Sequence, residues 1–213
     1  MKPTILLFVA LLTLASCKKE DSNPVQQIVS TATVTDYFPL DNGDSWVYQL
    51  YAADSSLIFI QLNDSDVVSV IGDSLIAGTS YKIVNSSYWG ISLYRDSADY
   101  IVDQTGWKFF TIDNTSEYLV NQYQPFTDST QYNTSVVRNS DSTCTVPAGQ
   151  FQARFVVGTI TATKPTTPAM KTRNYYLAFS KNVGLVLKRV IYALEPNYIE
   201  ERLIHYHLAL KTN

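Results

Sequence analysis

From Tyr37 onward, apolar residues recur at every second position in short runs separated by Asp, Asn, Ser and Gly. A period of two places one face of an extended strand on a core and the other in water. Runs rich in aromatic and β-branched residues at 46–51, 57–61 and 67–71 read as strands. The polar tetrapeptides 41–44, 53–56 and 63–66 read as the turns around them. Further strands are expected at 81–85, 91–95, 107–112 and 118–122, followed by longer ones at 151–161, 173–179, 185–193 and 199–210. No stretch of this region combines helical spacing with caps over three turns, so the sequence predicts an all-β, antiparallel domain. The later strands exceed the usual length of about five or six residues. That favours one large curved sheet or an incomplete barrel, with a β-sandwich as the second architecture. The loop 163–172, with Lys164, Pro165, Pro168 and Lys171, is expected to project as a polar finger.

Composition closes off other classes. Aromatics make up 13% of the chain, including 15 Tyr, and charged residues only 16%, which excludes a disordered chain. A net charge of -3 gives no electrostatic reason to bind nucleic acid. Two cysteines exclude a disulfide scaffold and a multi-cysteine zinc site. Charge is divided along the chain, with residues 18–141 carrying a net -10, including all 14 Asp, and residues 142–213 a net +6. With no linker near 140, a single sheet joining an acidic and a basic half is the simplest arrangement.

The N-terminus specifies a destination. Lys2 forms a positive n-region and residues 5–14 an apolar h-region, which is a secretory signal too short to span a bilayer. Leu14-Ala15-Ser16-Cys17 resembles a bacterial lipobox, which implies a diacylglycerol thioether, with further acylation by palmitate, on Cys17. Residues 1–16 are then the signal peptide, 17–35 a lipidated N-terminus and flexible tether, and 36–213 a single β domain. As a coil the tether reaches about 25 Å. Lys18-Lys19-Glu20-Asp21 reads either as an export signal of surface lipoproteins or as a charged spacer. With Cys17 acylated, Cys144 has no disulfide partner and is expected as a small buried apolar residue on a strand.

Four segments of the mature chain resemble Bacteroidetes lipoproteins and secreted proteins of unassigned function. They are Tyr37-Phe38-Pro39-Leu40 with Gly43, Trp46 and Tyr48; the segment 72–81; Thr145-Val146-Pro147-Ala148-Gly149-Gln150-Phe151; and Tyr175-Tyr176 with Val183-Gly184-Leu185-Val186. The resemblance implies a curved antiparallel sheet in the cell envelope, at the outer membrane, and no activity.

Several constellations invite chemistry. Gly72-Asp73-Ser74-Leu75 matches the tetrapeptide of a serine esterase class, but no Gly-x-Asn-Asp follows and Arg202 stands three residues before His205. A serine without a base is not activated, so a hairpin turn is expected there. His205 and His207 lie two apart, with Glu201 expected on their face and Ile204, Tyr206, Leu208 and Leu210 on the core face. Zinc would need further ligands from a neighbouring strand, so two polar residues on the solvent face are the expected reading and a metal site the weaker one. Eight of the 14 Asp precede Ser, a bias that turn formation explains without Ca²⁺. Asp-Ser followed by an apolar residue or Thr also resembles the O-glycosylation pattern of Bacteroidetes exported proteins at Ser74, Ser97, Ser129 and Ser142. Trp46, Trp89 and Trp107 stand in aromatic clusters suited to stacking on a sugar or lining an apolar cavity.

No catalytic constellation emerges, and no cofactor is implied. The sequence is that of a non-enzymatic, lipid-anchored binding or scaffolding module for a protein, glycan or apolar ligand. The alternative is an envelope hydrolase with paired carboxylates across a cleft.

Overall fold

The computed structural model describes residues 32–112, 119–125, 130–138, 140–163, 171–191 and 197–210. Cys17, Ser129 and residues 164–170 of the loop expected to project lie outside them. The described residues form a one-turn helix, α1 (Val34–Tyr37), and thirteen strands. These are β1 (Ser45–Ala53), β2 (Ile60–Ile76), β3 (Thr79–Ser86), β4 (Gly90–Ser97), β5 (Tyr100–Asp103), β6 (Lys108–Thr111), β7 (Val120–Pro125), β8 (Thr130–Val137), β9 (Ser142–Val146), β10 (Gly149–Ala162), β11 (Thr172–Ser180), β12 (Gly184–Ile191) and β13 (Tyr198–His207). Among these residues no helix is long and apolar enough to cross a membrane.

All thirteen strands belong to one antiparallel sheet of order β6-β5-β4-β3-β2-β1-β13-β12-β11-β10-β8-β7, with β9 beside β10. The pairing of β1 with β13 joins an N-terminal wing to a C-terminal wing at the centre. The sheet is rolled. Strands β6 and β11 stand eight places apart, roughly 38 Å in a flat sheet at about 4.8 Å per strand. Yet the rings of Phe110 on β6 and Phe179 on β11 are 4.5 Å apart. The result is an incomplete barrel in one sheet, not the two sheets of a sandwich.

Side chains bridge the open seam. Arg154 of β10 donates to the carbonyl of Ile112, just past β6, and pairs with Asp141 at 2.7 Å. Tyr37 donates to the same Asp141 at 2.9 Å. The barrel is plugged by α1 and the residues after it: Val34, Tyr37 and Leu40 are buried. Phe38 packs on Tyr94, Phe109 and Phe179 with centroids 5.3, 5.7 and 5.7 Å away. The β domain therefore includes residues 32–35, which the sequence assigns to the tether. One helical turn is too short to show a period, so Val34 gives no local sign of burial.

Two bulges correct the strand assignments. The polar run 63–66 is no turn, because β2 runs unbroken through it. Against β1, Gln49 pairs with Ser65 and Tyr51 with Gln61, and the Gln49 amide donates to the carbonyls of Leu62 and Asp64 at 2.6 and 3.1 Å. A long-range side chain thus supplies the partners that a turn would have supplied locally. In β13, Val47 pairs with His205 but Tyr48 with Leu203. Ile204 is the extra residue, and it shifts the alternation by one. Leu203 is fully buried, whereas Ile204, Tyr206 and Leu210, expected in the core, are exposed.

The segment 72–75 is also strand. Ser74 pairs with Tyr81, and the hairpin turns later, at Ala77-Gly78. Strands β5 and β8 carry no clear alternation and were not expected from the sequence.

Gly158 of β10 is glycine for a steric reason. A Cβ there would lie 1.9 Å from Cζ of Tyr175, whose hydroxyl meets Asn133 at 3.0 Å. Gly158→Ala is expected to lower unfolding free energy by about 1–3 kcal/mol through overpacking. Urea denaturation checks this, and adding Tyr175→Ala should relieve the clash.

Candidate functional site

Adjacent residues of a strand face opposite ways, and central β13 carries Glu200 and Glu201 side by side, both about 1% exposed. Cross-strand partners share a face. Leu50, Glu201 and Lys188 lie on the inner face, and Tyr51, Glu200 and Arg189 on the outer face.

The inner face holds a cavity of about 100 Å³. Its walls include Phe38, Trp46, Tyr48, Trp89, Tyr94 and Phe109, and its polar edge is Asp66, Lys188 and Glu201. Trp46 is buried, its indole donating to the Val183 carbonyl at 2.6 Å. Gly184 allows this approach: it holds φ +101°, and a Cβ would lie 3.1 Å from the Trp46 Nε1. The buried Tyr48 donates to the Leu185 carbonyl at 2.8 Å. Its phenol is pushed well above the ordinary range by burial, with Glu201 and Asp66 adding to the effect.

Asp66 is fully buried. It accepts from the Ser86 hydroxyl at 2.7 and 2.8 Å, from the Ser87 hydroxyl at 3.1 Å and from the Tyr88 N–H at 3.0 Å. These bonds fix the β3–β4 turn and aim Trp89 across two strands to β13. There the Trp89 indole N–H donates to Glu201, and its ring lies 4.3 Å from the Lys188 ammonium. Lys188 pairs with Glu201 at 3.0 Å. Burial pushes the Glu201 carboxyl up, and Lys188 and the Trp89 bond pull it partly back. Trp89 remains 40% exposed, so its ring forms the cavity's rim.

The structure brings Trp46 and Trp89 together on this cavity. Trp107 lines a separate inner cavity of about 210 Å³ near β8, β10 and β11. His205 and His207 are exposed, and the β13 bulge leaves them on the face opposite Glu201, so the expected His–His–Glu face does not form. Among the described residues, no three His, Cys, Asp or Glu come together to hold a metal ion. Ser74 on β2, Ser97 ending β4 and Ser142 starting β9 are half-buried. Cys144 is buried on β9, as its apolar surroundings in sequence suggest, and burial pushes its thiol up.

Sequence reasoning missed Asp66, taken for a turn residue, and Lys188 and Glu200. Their signal is a pair of charged dipeptides, Lys188-Arg189 and Glu200-Glu201, inside apolar strands.

No protein-family model matches the chain, and no curated protein matches its sequence. The chain is similar to two solved structures. One is a candidate lipoprotein from Parabacteroides distasonis, with 14% identity and a TM-score of 0.40 over 80% of this chain and 98% of the other. The other is a candidate exported protein with a YmcC-like fold from Bacteroides fragilis, with 12% identity and a TM-score of 0.41 over 81% and 99%.

Because the folded-state carboxyl of Glu201 is raised, its ionisation opposes folding. Its contribution to stability falls as pH rises from about 4.5, its ordinary value, through the raised one. Glu201→Gln removes that titration while keeping an acceptor for Trp89. Lowering pH from neutral toward this range should therefore raise the melting temperature of the wild type relative to the variant, as read by thermal denaturation across pH.

Proposed function

We propose that the chain is a lipid-anchored cell-envelope protein whose rolled sheet is a non-catalytic binding module, holding a small apolar or ring-shaped ligand beneath Trp89. The observation that carries this reading is an aromatic-walled cavity whose two buried carboxylates already have protein partners. Its volume is about two thirds of the roughly 150 Å³ of a dry apolar cavity that accepts benzene, so its enclosed part holds no more than one ring. Trp89 at the rim offers a face for stacking, and Lys188 a charge for one polar substituent. The lipobox at Cys17 and the preceding h-region support the anchor and the envelope destination. The outer membrane is the proposed membrane.

Asp66 and Glu201 on one cavity wall also favour the hydrolase reading. On that reading Glu201, with its raised carboxyl, is the acid.

Native mass spectrometry of protein purified from its own envelope separates the two. A bound small molecule that is lost in Trp89→Ala is the expected result, and an unliganded mass for the wild type counts against binding. Turnover of p-nitrophenyl glycosides or esters that disappears in Glu201→Gln would replace the binding reading with the hydrolase. Cys17→Ala is expected to abolish labelling by a palmitate analogue and to move the protein from the membrane to the soluble fraction.

A further inference from the structure

The outer face carries a concavity larger than either inner cavity, and Trp89 does not line it. Strand β10 is fourteen residues long and changes partner along one edge, from β9 at 149–153 to β8 at 156–162. Its first part bends so that β9 touches β12 and β13, and the groove beneath has a volume of about 570 Å³. That lies within the range of roughly 300–1,000 Å³ of small-molecule sites.

Among the described residues that line it are three arginines, Arg138, Arg173 and Arg189, and no carboxylate. Thr143, Thr172, Asn174, Tyr176 and Tyr198 add hydrogen-bonding groups, while Phe155, Val157 and Leu187 give apolar floor. Glu200 stands behind this wall. It pairs with Arg189 and with Arg202, both at 2.7 Å, and accepts from Tyr176 at 3.3 Å. The Arg189 guanidinium is stacked at 4.3 Å from the Tyr176 ring and 4.5 Å from Phe59. It is thus held in place before any ligand arrives, which lowers the ordering cost of binding. Arg173 is 3% exposed and Arg138 exposed, so the positive charge runs from the depth of the groove to its rim.

We infer that this groove binds a small organic anion, with a phosphate, sulfonate or carboxylate against the arginine forks and an apolar body on Phe155 and Val157. Guanidinium forks match the geometry of such groups, and arginine keeps its charge when buried.

The probe is anilinonaphthalene sulfonate, with phenylnaphthylamine as the same body lacking charge. One-to-one binding of the sulfonate that weakens with salt, with little binding of the neutral analogue, is expected. Arg138→Gln, at the exposed rim, should weaken it about tenfold, and Arg173→Gln at least as much. Unchanged melting of the Arg138 variant keeps the result independent of folding. Equal binding of both dyes, or no change in the Arg138 variant, overturns the inference. Trp89→Ala should leave binding unchanged, and loss there would place the dye in the inner cavity and overturn it too. Competition then separates the sources. Displacement by inorganic phosphate marks a free anion, and displacement by phosphatidylglycerol but not phosphatidylcholine vesicles marks a lipid headgroup. Displacement by neither overturns it.

Discussion

Glu200 and Glu201 are neighbours at the centre of the sheet, and alternation sends their carboxylates to opposite faces. An unpaired buried carboxylate is expensive, because the loss of hydration costs several kcal/mol even after relaxation. Each face therefore has to supply cations, and β12 does so with a matching dipeptide. Lys188 sits opposite Glu201 and Arg189 opposite Glu200. A slip of one residue between β12 and β13 would turn each cation to the face away from its carboxylate. The charge pairs thus fix a register that apolar residues on both faces would fix less firmly. The same pairs fix the aromatic rings around them: Trp89 over Lys188 inside, and Tyr176, Phe59 and Tyr51 around the two guanidiniums outside.

Much of the fold was legible in the chain, because runs rich in β-branched and aromatic residues mark β1, β3, β10 and β11, and in β1 the burial alternates as well. What was illegible depends on partners distant in sequence. Asn63-Asp64-Ser65-Asp66 has the chemistry of a turn, and only the Gln49 amide and the Ser86–Tyr88 donors make it strand. Ile204 looks like core until the pairing with β1 makes it a bulge. That single residue separates Glu201 from His205 and His207. The site was half legible: Trp46 and Trp89 stood out as candidates, but their meeting requires the order β3-β2-β1-β13, which no local pattern encodes.

The uneven charge of the chain maps onto the two wings, yet it is not balanced mainly by attraction between them. Within the basic wing, Glu200 pairs with Arg189 and Arg202, and Glu201 with Lys188. Between the acidic and basic halves of the sequence, Asp36 pairs with Lys181 at 3.6 Å at the interior plug and Asp141 with Arg154 at 2.7 Å at the seam. Aspartates of the N-terminal half also organise turns, as Asp54 does by accepting from Ser56 and Asp103 from Thr105 and Trp107. Carboxylates in this molecule chiefly position other groups.

That bears on the choice between binding and hydrolysis. A general base needs a free lone pair directed at a water or substrate proton. Asp66 spends its oxygens on two hydroxyls and a backbone N–H, and these bonds hold the turn that carries Trp89. Turning Asp66 toward a substrate would release Trp89 from the rim and Glu201 from the indole N–H, so the cavity would lose its wall at the moment of reaction. Catalysis and positioning are competing demands on one carboxylate, and the donors around Asp66 favour positioning. For the same reason Gln at 201 and Asn at 66 are the informative substitutions. Alanine at either site would leave buried donors unsatisfied and report on stability instead of chemistry.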